Sequence, residues 1–515
     1  MFDIQDNNLK KIISHSKEYG FVFPSSEIYD GLSAIYDYGP YGVELKNNLK
    51  EYWWKSMVQL NDNILGIDSS IFMHSNTWKA SGHIDAFNDP LIDNKDSKKR
   101  YRADVLIEDH IGRIEKKKQK EILKAKKRFK EDFVEKKFCE TSPRVLKYIE
   151  EIEKTSTQLH DCLKSNNLNG LKDLIISLGI TDPISGTKNW TDVRQFNLMF
   201  STDMGSVDSN KNLIYLRPET AQGIFLNFLN VINSSRMRIP FGIAQIGKAF
   251  RNEIIARQFI FRMREFEQME MQFFVSPKSE MEWYKKWKNT RIKWHHILNL
   301  GKDRYRFHDH KNLAHYANAA CDIEFNFPMG YKELEGIHSR TDFDLKAHQK
   351  LSGKKLTYFD QKKNKAFLPY VIETSIGLDR LFLAVLSGSY IEESLNDGSN
   401  RVYLKIPFPL APIKVAVLPL NAKDKLPDKA KEIYNQLKIQ FSSQYDEKDS
   451  IGKRYRRQDA IGTPFCITID YESLETNKVT VRNRDSMQQE RISVDKINKY
   501  LENNTSLNIL LNQLD

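Results

Sequence analysis

The sequence predicts an α+β protein: an antiparallel sheet flanked by helices, a charged helical insertion, and a C-terminal α/β module. Three stretches carry that prediction. From Phe241 to Val275, two strand-like runs are joined by a loop. In the first, Gln245, Gly247, Ala249, Arg251 and Glu253 share one parity. In the second, Phe266, Gln268, Glu270, Gln272 and Phe274 share one, and Met269, Met271, Phe273 and Val275 take the other. Side chains alternate across a strand, so one face is lined with Arg, Glu and Gln while the other is apolar and covered. From 109 to 165 the chain turns strongly charged and helical, as in RIEKKKQKEILKAKKRFKEDFVEKKF. From about Leu410, APIKVAVLPL reads as a buried strand, Lys429 to Phe441 as a helix, and PFCITIDY and KVTVRNRD as two further strands. The expected spans are 1–108 and 181–408 for the sheet domain, 109–180 for the insertion and 409–515 for the C-terminal module.

Taken in order, residues 7–20 read as a short helix, followed by the aromatic, Gly/Pro-rich turn region FVFPSSEIYDGLSAIYDYGPYG. Gly42 to Leu60 is amphipathic, with Val43, Leu45, Leu49, Trp53, Met57 and Leu60 at helical spacing. The pair Trp53-Trp54 suits either core packing or an oligomer interface. ILGIDSSIFM is strand-like. The charged run that follows is a solvated helical face, or else a cationic arm for nucleic acid. Arg217-Pro218-Glu219-Thr220 stands where a strand gives way to a helix, with Thr220 as its cap. Residues 278–300 form a helix with Trp283, Trp287 and Trp294, CDIEFNF alternates as a strand, and PYVIETSIGLDRLFLAVL reads strand, Gly junction, helix.

At 515 residues the chain exceeds one core, and 40% hydrophobic with 29% charged residues is the composition of a soluble protein. A net charge of +11 favours a polyanionic partner such as nucleic acid. The cysteines Cys139, Cys162, Cys321 and Cys466 lack metal or disulfide spacing, so zinc is not expected. The N-terminus is polar and no run of 18 apolar residues exists, so the expectation is a cytoplasmic protein with no membrane segment.

There is no Ser/His/Asp elbow, HExxH or P-loop. Instead, arginines and acids arrive on antiparallel strands, with Arg257, Arg262 and Arg264 in the connecting loop. That set suits a phosphate-rich ligand beside an ammonium. FRNE, then the loop, then FRMREFEQME resembles motif two of the class II aminoacyl-tRNA synthetases, and GLDR at Gly377–Arg380 resembles motif three. DYGPYGVELKNN, SGH, YRAD, FNLMF, RPETAQG, KELEGIHSRTDFDL and ETSIGLDR resemble the dimeric type of glycyl-tRNA synthetase. The resemblance spans most of residues 17–505 apart from the charged arm.

That resemblance implies activation of glycine by ATP with Mg²⁺, transfer to tRNA(Gly), and a homodimer. It places Arg251 at the α-phosphate and substrate carboxylate, Glu253 at the adenine amino group, and Arg262 and Arg264 on ATP, with Phe261 or Phe266 stacked on adenine. Arg380 takes the γ-phosphate and Glu333 carries Mg²⁺. Asn252, Met263, Glu265, Leu334, Gly377, Leu378 and Asp379 complete the ATP set. For glycine it implies Arg102, Glu219, Phe266, Glu267, Gln268, Met269, Glu270, Glu373, Thr374, Ser375, Ile376 and Gly377, with Glu219, Glu270 and Ser375 around the α-carbon. In the C-terminal module, GKRYRRQDAIGTP is read as a basic turn offering Arg454, Arg456 and Arg457 to RNA. Two departures stand out. Ser75 occupies the place of the motif-one proline, and ITDPISGTKNW replaces the cysteine pair found in some relatives. The alternatives are a class II enzyme for another small amino acid and a catalytically inactive relative acting as a clamp.

Overall fold

The computed structural model describes residues 2–130, 133–204, 212–254, 258–310, 313–314, 316–395 and 398–514. They form two compact units, Met1–Ser81 with Phe200–Asp515, and Gly82–Met199.

The first unit is organised around a seven-stranded sheet. Its strands are β1 (Ile64–Gly66), β2 (Phe241–Phe250), β3 (Glu265–Val275), β4 (Tyr305–Asp309), β5 (Ala319–Phe327), β6 (Gly330–Thr341) and β7 (Tyr370–Gly377), in the order β4-β5-β6-β7-β3-β2-β1. All neighbours run antiparallel except the edge strand β1, which lies parallel to β2. Five helices matter here: α1 (Phe2–Glu18), α2 (Pro40–Trp54), α3 (Ala221–Leu226), α4 (Glu280–Ile297) and α5 (Leu378–Ser389).

The strand alternation divides the sheet as its residues require. Met269, Met271, Phe273 and Val275 are buried in the main core, which includes Trp287, Trp294, Leu381 and Val385 from α4 and α5. Helix α5 follows Gly377 and is apolar almost all round, as a helix in the middle of a core should be. The indoles on α2 resolve the earlier ambiguity. Trp53 is fully buried, and the ring of Trp54 lies on Gly66, where a Cβ would fall 2.2 Å from an indole carbon. Trp53 is a core residue and Trp54 is partly buried against that core, while Val43 and Leu60 stay exposed. The strand near the motif-one position is Phe72–Met73; Ser75 already belongs to the helix Ser75–Ala80, capped by His74.

The C-terminal part adds the hairpin β8 (Tyr390–Ser394) and β9 (Asn400–Leu404), then β10 (Val415–Pro419), β11 (Ser443–Tyr445), β12 (Phe465–Ile469), β13 (Lys478–Asn483) and β14 (Gln489–Ser493). The last five form a mixed sheet in the order β11-β10-β12-β13-β14. Its first helix, α6, is Leu426–Leu437, started by a proline in its first turn. GKRYRRQDAIGTP, read as a turn, is instead the helix α7 (Ile451–Ile461). Its 3.6-residue repeat points Arg454 inward, where its guanidinium donates to the carbonyls of Pro419, Leu420 and Asp446 at 2.5–3.0 Å. Arg457 is ion-paired with Asp446 and Asp449. Arg454 is therefore an internal brace, and Arg456 is the more exposed of the group. Asp459 on α7 is fully buried and receives Arg401 of β9 at 2.9 Å and Arg482 of β13 at 2.8 and 3.0 Å.

The second unit packs the strands Asn88–Asp93, Arg100–Arg102 and Arg194–Asn197 against the helices Ala103–Phe129, Pro143–Lys164 and Leu168–Ser177. It is wider than the charged run that marked it in the sequence. In the long helix Ile107, Ile114, Ile122 and Ala125 are buried, while Lys116, Lys117, Lys120 and Lys124 face solvent. The loop containing ITDPISGTKNW is held by hydrogen bonds. Asp182 accepts from Ser185 and Tyr101, and the Trp190 indole donates to the carbonyl of Ile180 at 3.0 Å.

Candidate active site

Three strands bring the polar residues into rows. In the register of β3, β7 and β6, Glu270 faces Ser375, which faces Gly336; one step along, Gln272 faces Glu373, which faces His338. Gln245 of β2 continues the first row beside Glu270. The strand parity read from the sequence thus holds across the sheet. A pocket opens over these rows, lined by Glu219, Arg251, Glu253, Ile260, Phe261, Arg262, Met263, Phe266, Gln268, Glu270, Tyr316, Glu333, Gly336, His338, Arg340, Glu373, Ser375, Gly377, Asp379 and Arg380.

At the acidic end, Glu270 accepts hydrogen bonds from the hydroxyls of Ser375, at 2.7 Å, and Thr220, and from the Gln268 amide at 3.3 Å. Thr220 stands at the N-cap position of α3, but its hydroxyl serves Glu270 rather than capping the helix. Burial, and then the neighbouring carboxylates of Glu373 and Glu219, push the Glu270 carboxyl well above the usual carboxylate range, against the two hydroxyl donors. Glu373 lies on the other side of the balance. Burial alone would raise it, but Arg340, His338 at 2.8 Å and Gln272 at 2.7 Å hold it well below. Arg340 makes a fork onto Asp344 at 2.9 and 3.0 Å and reaches Glu373 at 2.9 Å. Gln222 then links Asp344 to Glu219 at 3.1 and 2.9 Å.

At the basic end, Arg251 donates to the carbonyl of Pro218 at 3.0 Å and lies 5.4 Å from the Phe266 ring centre. Arg380, in the first turn of α5, packs 4.5 Å above the Phe261 ring and pairs with Glu333 at 3.1 Å. Arg380 is the main cause of the lowered Glu333 pKa. Glu333 reaches the pocket because the register slips between Ile323 and Glu324 opposite Leu334. The extra residue puts Leu334 in the core and turns Glu333 out, with its side chain 51% exposed. Glu335 is left buried behind the sheet, bonded to Arg291 at 2.5 Å and His295 at 2.7 Å.

Not every expected residue lines this pocket. Met269, Thr374 and Ile376 have the opposite strand parity and are buried, as are Leu334 and Leu378. Glu265 pairs with Lys248, and Glu267 with Lys46 behind the strand. Arg264 donates to the carbonyls of Glu253 and Ser33, fastening the loop rather than facing the cavity. Asn252 is likewise outside the lining set. Arg102 belongs to the second unit, ion-paired with Asp89 at 3.0 Å and Asp104 at 2.6 Å. Arg257 lies outside the described residues. Conversely, Gln222, Tyr316, His338, Arg340 and Asp344 went unread and Thr220 was read only as a cap, although counting alternate residues from Gly336 along EGIHSRT places His338 and Arg340 on the polar face.

Known proteins resemble this chain in sequence and in fold. Residues 200–389 match the family model for the tRNA synthetase class II core domain (G, H, P, S and T), 414–504 the anticodon binding domain, and 89–198 the glycyl-tRNA synthetase insertion domain 1. A glycine–tRNA ligase of Chlorobaculum tepidum is 49% identical over 494 residues, covering 96% of this chain and 99% of the relative. The chain belongs to the glycine–tRNA ligase family. Further members from Macrococcus caseolyticus and Acetivibrio thermocellus are both 47% identical and cover 96% of this chain and 98% of their own length. Among solved structures, one titled as the RNA binding domain of threonyl-tRNA synthetase from Cryptosporidium parvum superposes with a TM-score of 0.59 at 15% identity, covering 95% of this chain and 97% of that one. At that identity the likeness is one of fold.

Proposed function

We propose that this chain activates glycine with ATP and transfers the glycyl group to tRNA(Gly), working as a cytoplasmic homodimer. The observation that carries the reading is one pocket with carboxylates at one end and guanidinium groups at the other. Glycine offers only an ammonium and a carboxylate for recognition. Its ammonium sits among Glu219, Glu270 and the Ser375 hydroxyl. Its carboxylate points toward Arg251, where an oxygen attacks the α-phosphorus of ATP in line. The new O–P bond forms as the α–β bridging bond breaks and pyrophosphate leaves. No side-chain nucleophile is needed. Arg251, Arg262 and Arg380 neutralise and align the phosphates, which is where planar guanidinium groups excel.

Phe266, half-buried with Arg251 5.4 Å from its ring centre, would stack on adenine, whereas Phe261 is enclosed between Arg380 and Phe327. Among the described residues no group of three or more His, Cys, Asp or Glu side chains could hold a metal. Glu333 nevertheless offers a hard carboxylate oxygen at the phosphate end, so it would hold Mg²⁺ together with the ATP phosphates. Such a cation would offset phosphate charge. In the second step the 3′-hydroxyl of the terminal tRNA adenosine attacks the glycyl carbonyl carbon, AMP leaves, and the hydroxyl proton passes to the departing phosphate or to water.

Family membership and the anticodon-binding match support tRNA as partner. The homodimer draws support from Phe72, Met204 and Leu213, which are exposed on the small sheet formed by Phe72–Met73, Ser201–Met204 and Asn212–Leu216. The test is charging: labelled glycine should become acid-precipitable on tRNA(Gly) transcript in an ATP-dependent way. Labelling of an unrelated transcript to the same level would refute the tRNA assignment.

A further inference from the structure

We propose that Lys46 is a positioning residue for ATP, tying the strand that carries Phe266 to the helical turn that carries Arg380. Lys46 lies on α2 and is only 5% exposed. Its Nζ stands 2.6 Å from Glu267 Oε2 and 3.1 Å from Asp379 Oδ1, and 4.0 Å from the centre of the Tyr38 ring. Asp379 also accepts from the backbone N–H of Glu267 at 2.8 Å and from the Tyr38 hydroxyl. Glu267 is the residue after Phe266 on β3, and Asp379 is the residue before Arg380 on α5. One ammonium therefore bridges the two elements whose next residues face ATP.

The choice of a lysine here is informative. A buried ion cluster is a poor source of stability, because the cost of desolvating the charges offsets most of their attraction. An apolar residue of similar shape is often neutral or better for the fold. What the cluster supplies is a fixed geometry: three elements meet at one point with both carboxylates oriented. Lys50, 3.6 Å from Glu267, completes the charge balance without reaching Asp379. A misplacement of about 1 Å in a phosphate-aligning group can cost roughly a hundredfold in rate. The position of Arg380 is sensitive in this way, since its remaining contacts are the Phe261 ring, the carbonyls of Phe261 and Glu333, and the Glu333 carboxylate.

The inference rests on the reading that Arg380 contacts ATP, and the experiment separates the two. Glycine-dependent pyrophosphate exchange is measured for the full chain and for Arg380→Ala, Lys46→Met, Lys46→Arg and Tyr38→Phe. Arg380→Ala should lose exchange; if it does not, the reading of Arg380 fails and the inference falls with it. Lys46→Met should raise KM for ATP and lower kcat, together roughly 10- to 100-fold in kcat/KM for ATP. KM for glycine should stay nearly constant. Lys46→Arg should restore much of the loss, and Tyr38→Phe should move the same constants the same way by less. Wild-type ATP constants in Lys46→Met, with Arg380→Ala inactive, would overturn the proposal. Should Lys46→Met not fold, Tyr38→Phe decides alone, and an unchanged KM for ATP overturns it.

Discussion

Replacing Glu270 by glutamine removes one charge while preserving shape, and so isolates the ammonium contact. An ammonium about 4 Å from a carboxylate gains about 4 kcal/mol at an effective dielectric near 20. That gain is not all available. In the free protein Glu270 is buried between Glu219 and Glu373, and its carboxyl sits well above the usual range, so part of the gain is spent in ionising it. Truncating one partner of a buried, hydrogen-bonded charge pair costs about 2–5 kcal/mol, and the ionisation cost places Glu270 at the lower end, about 2–3 kcal/mol. That corresponds to a rise of roughly 30- to 150-fold in KM for glycine. The Ser375 and Thr220 hydroxyls can turn to suit the amide, so the fold should survive. Steady-state pyrophosphate exchange at varied glycine and at varied ATP reads the two substrates separately. A glycine KM within about threefold of wild type, or an equal rise for ATP, would refute the placement of the ammonium at Glu270.

The same carboxyl makes glycine binding pH-dependent. The ammonium binds the ionised form, so on the acid side of the raised Glu270 pKa the glycine KM should fall about tenfold per pH unit and level off above it. A flat profile through the range above ordinary carboxylates would contradict the assignment, and Glu270→Gln should flatten it. Asp459→Leu should cost about 3–5 kcal/mol of stability, because it leaves Arg482 buried without its counter-charge and Arg401 with Glu393 alone. Denaturant titration checks this; a loss below about 1 kcal/mol would mean that the two arginines find other partners.

The buried Asp459 contacts also bear on how the C-terminal module, read from the sequence as 409–515, joins the rest of the first unit. In the structure Leu410, Ile461, Leu510 and Leu511 belong to the main core, and His15 of α1 bonds the carbonyl of Ala460 at 2.8 Å. Truncation there would open the core.

What was legible in the sequence follows strand physics. On β3 the alternation of Gln268, Glu270 and Gln272 with Met269, Met271 and Phe273 is unbroken, so the polar face could be assigned residue by residue. On β6 the same logic puts Glu333 and Glu335 on one face, and the bulge at Leu334 separates them. A bulge inserts one residue without a compositional mark. The helix α7 was hidden because Arg454, read as a surface cation, is the ligand of three backbone carbonyls. Thr220 was read from its local capping preference, and a long-range partner, Glu270, took its hydroxyl. Lys46 sits on the apolar side of an amphipathic helix, where its partners, Glu267 and Asp379, lie more than two hundred residues away in sequence.

The central claim is that the acidic end of the pocket selects glycine. Glycine-dependent exchange of pyrophosphate into ATP tests it most directly, with alanine and serine as competitors. A single methyl group is worth about 1–3 kcal/mol in an apolar pocket, and here it must also press against the Glu270 and Ser375 oxygens. Exchange with glycine should therefore be robust, and kcat/KM for alanine lower by at least roughly a hundredfold. Alanine or serine supporting exchange as well as glycine does would contradict the account.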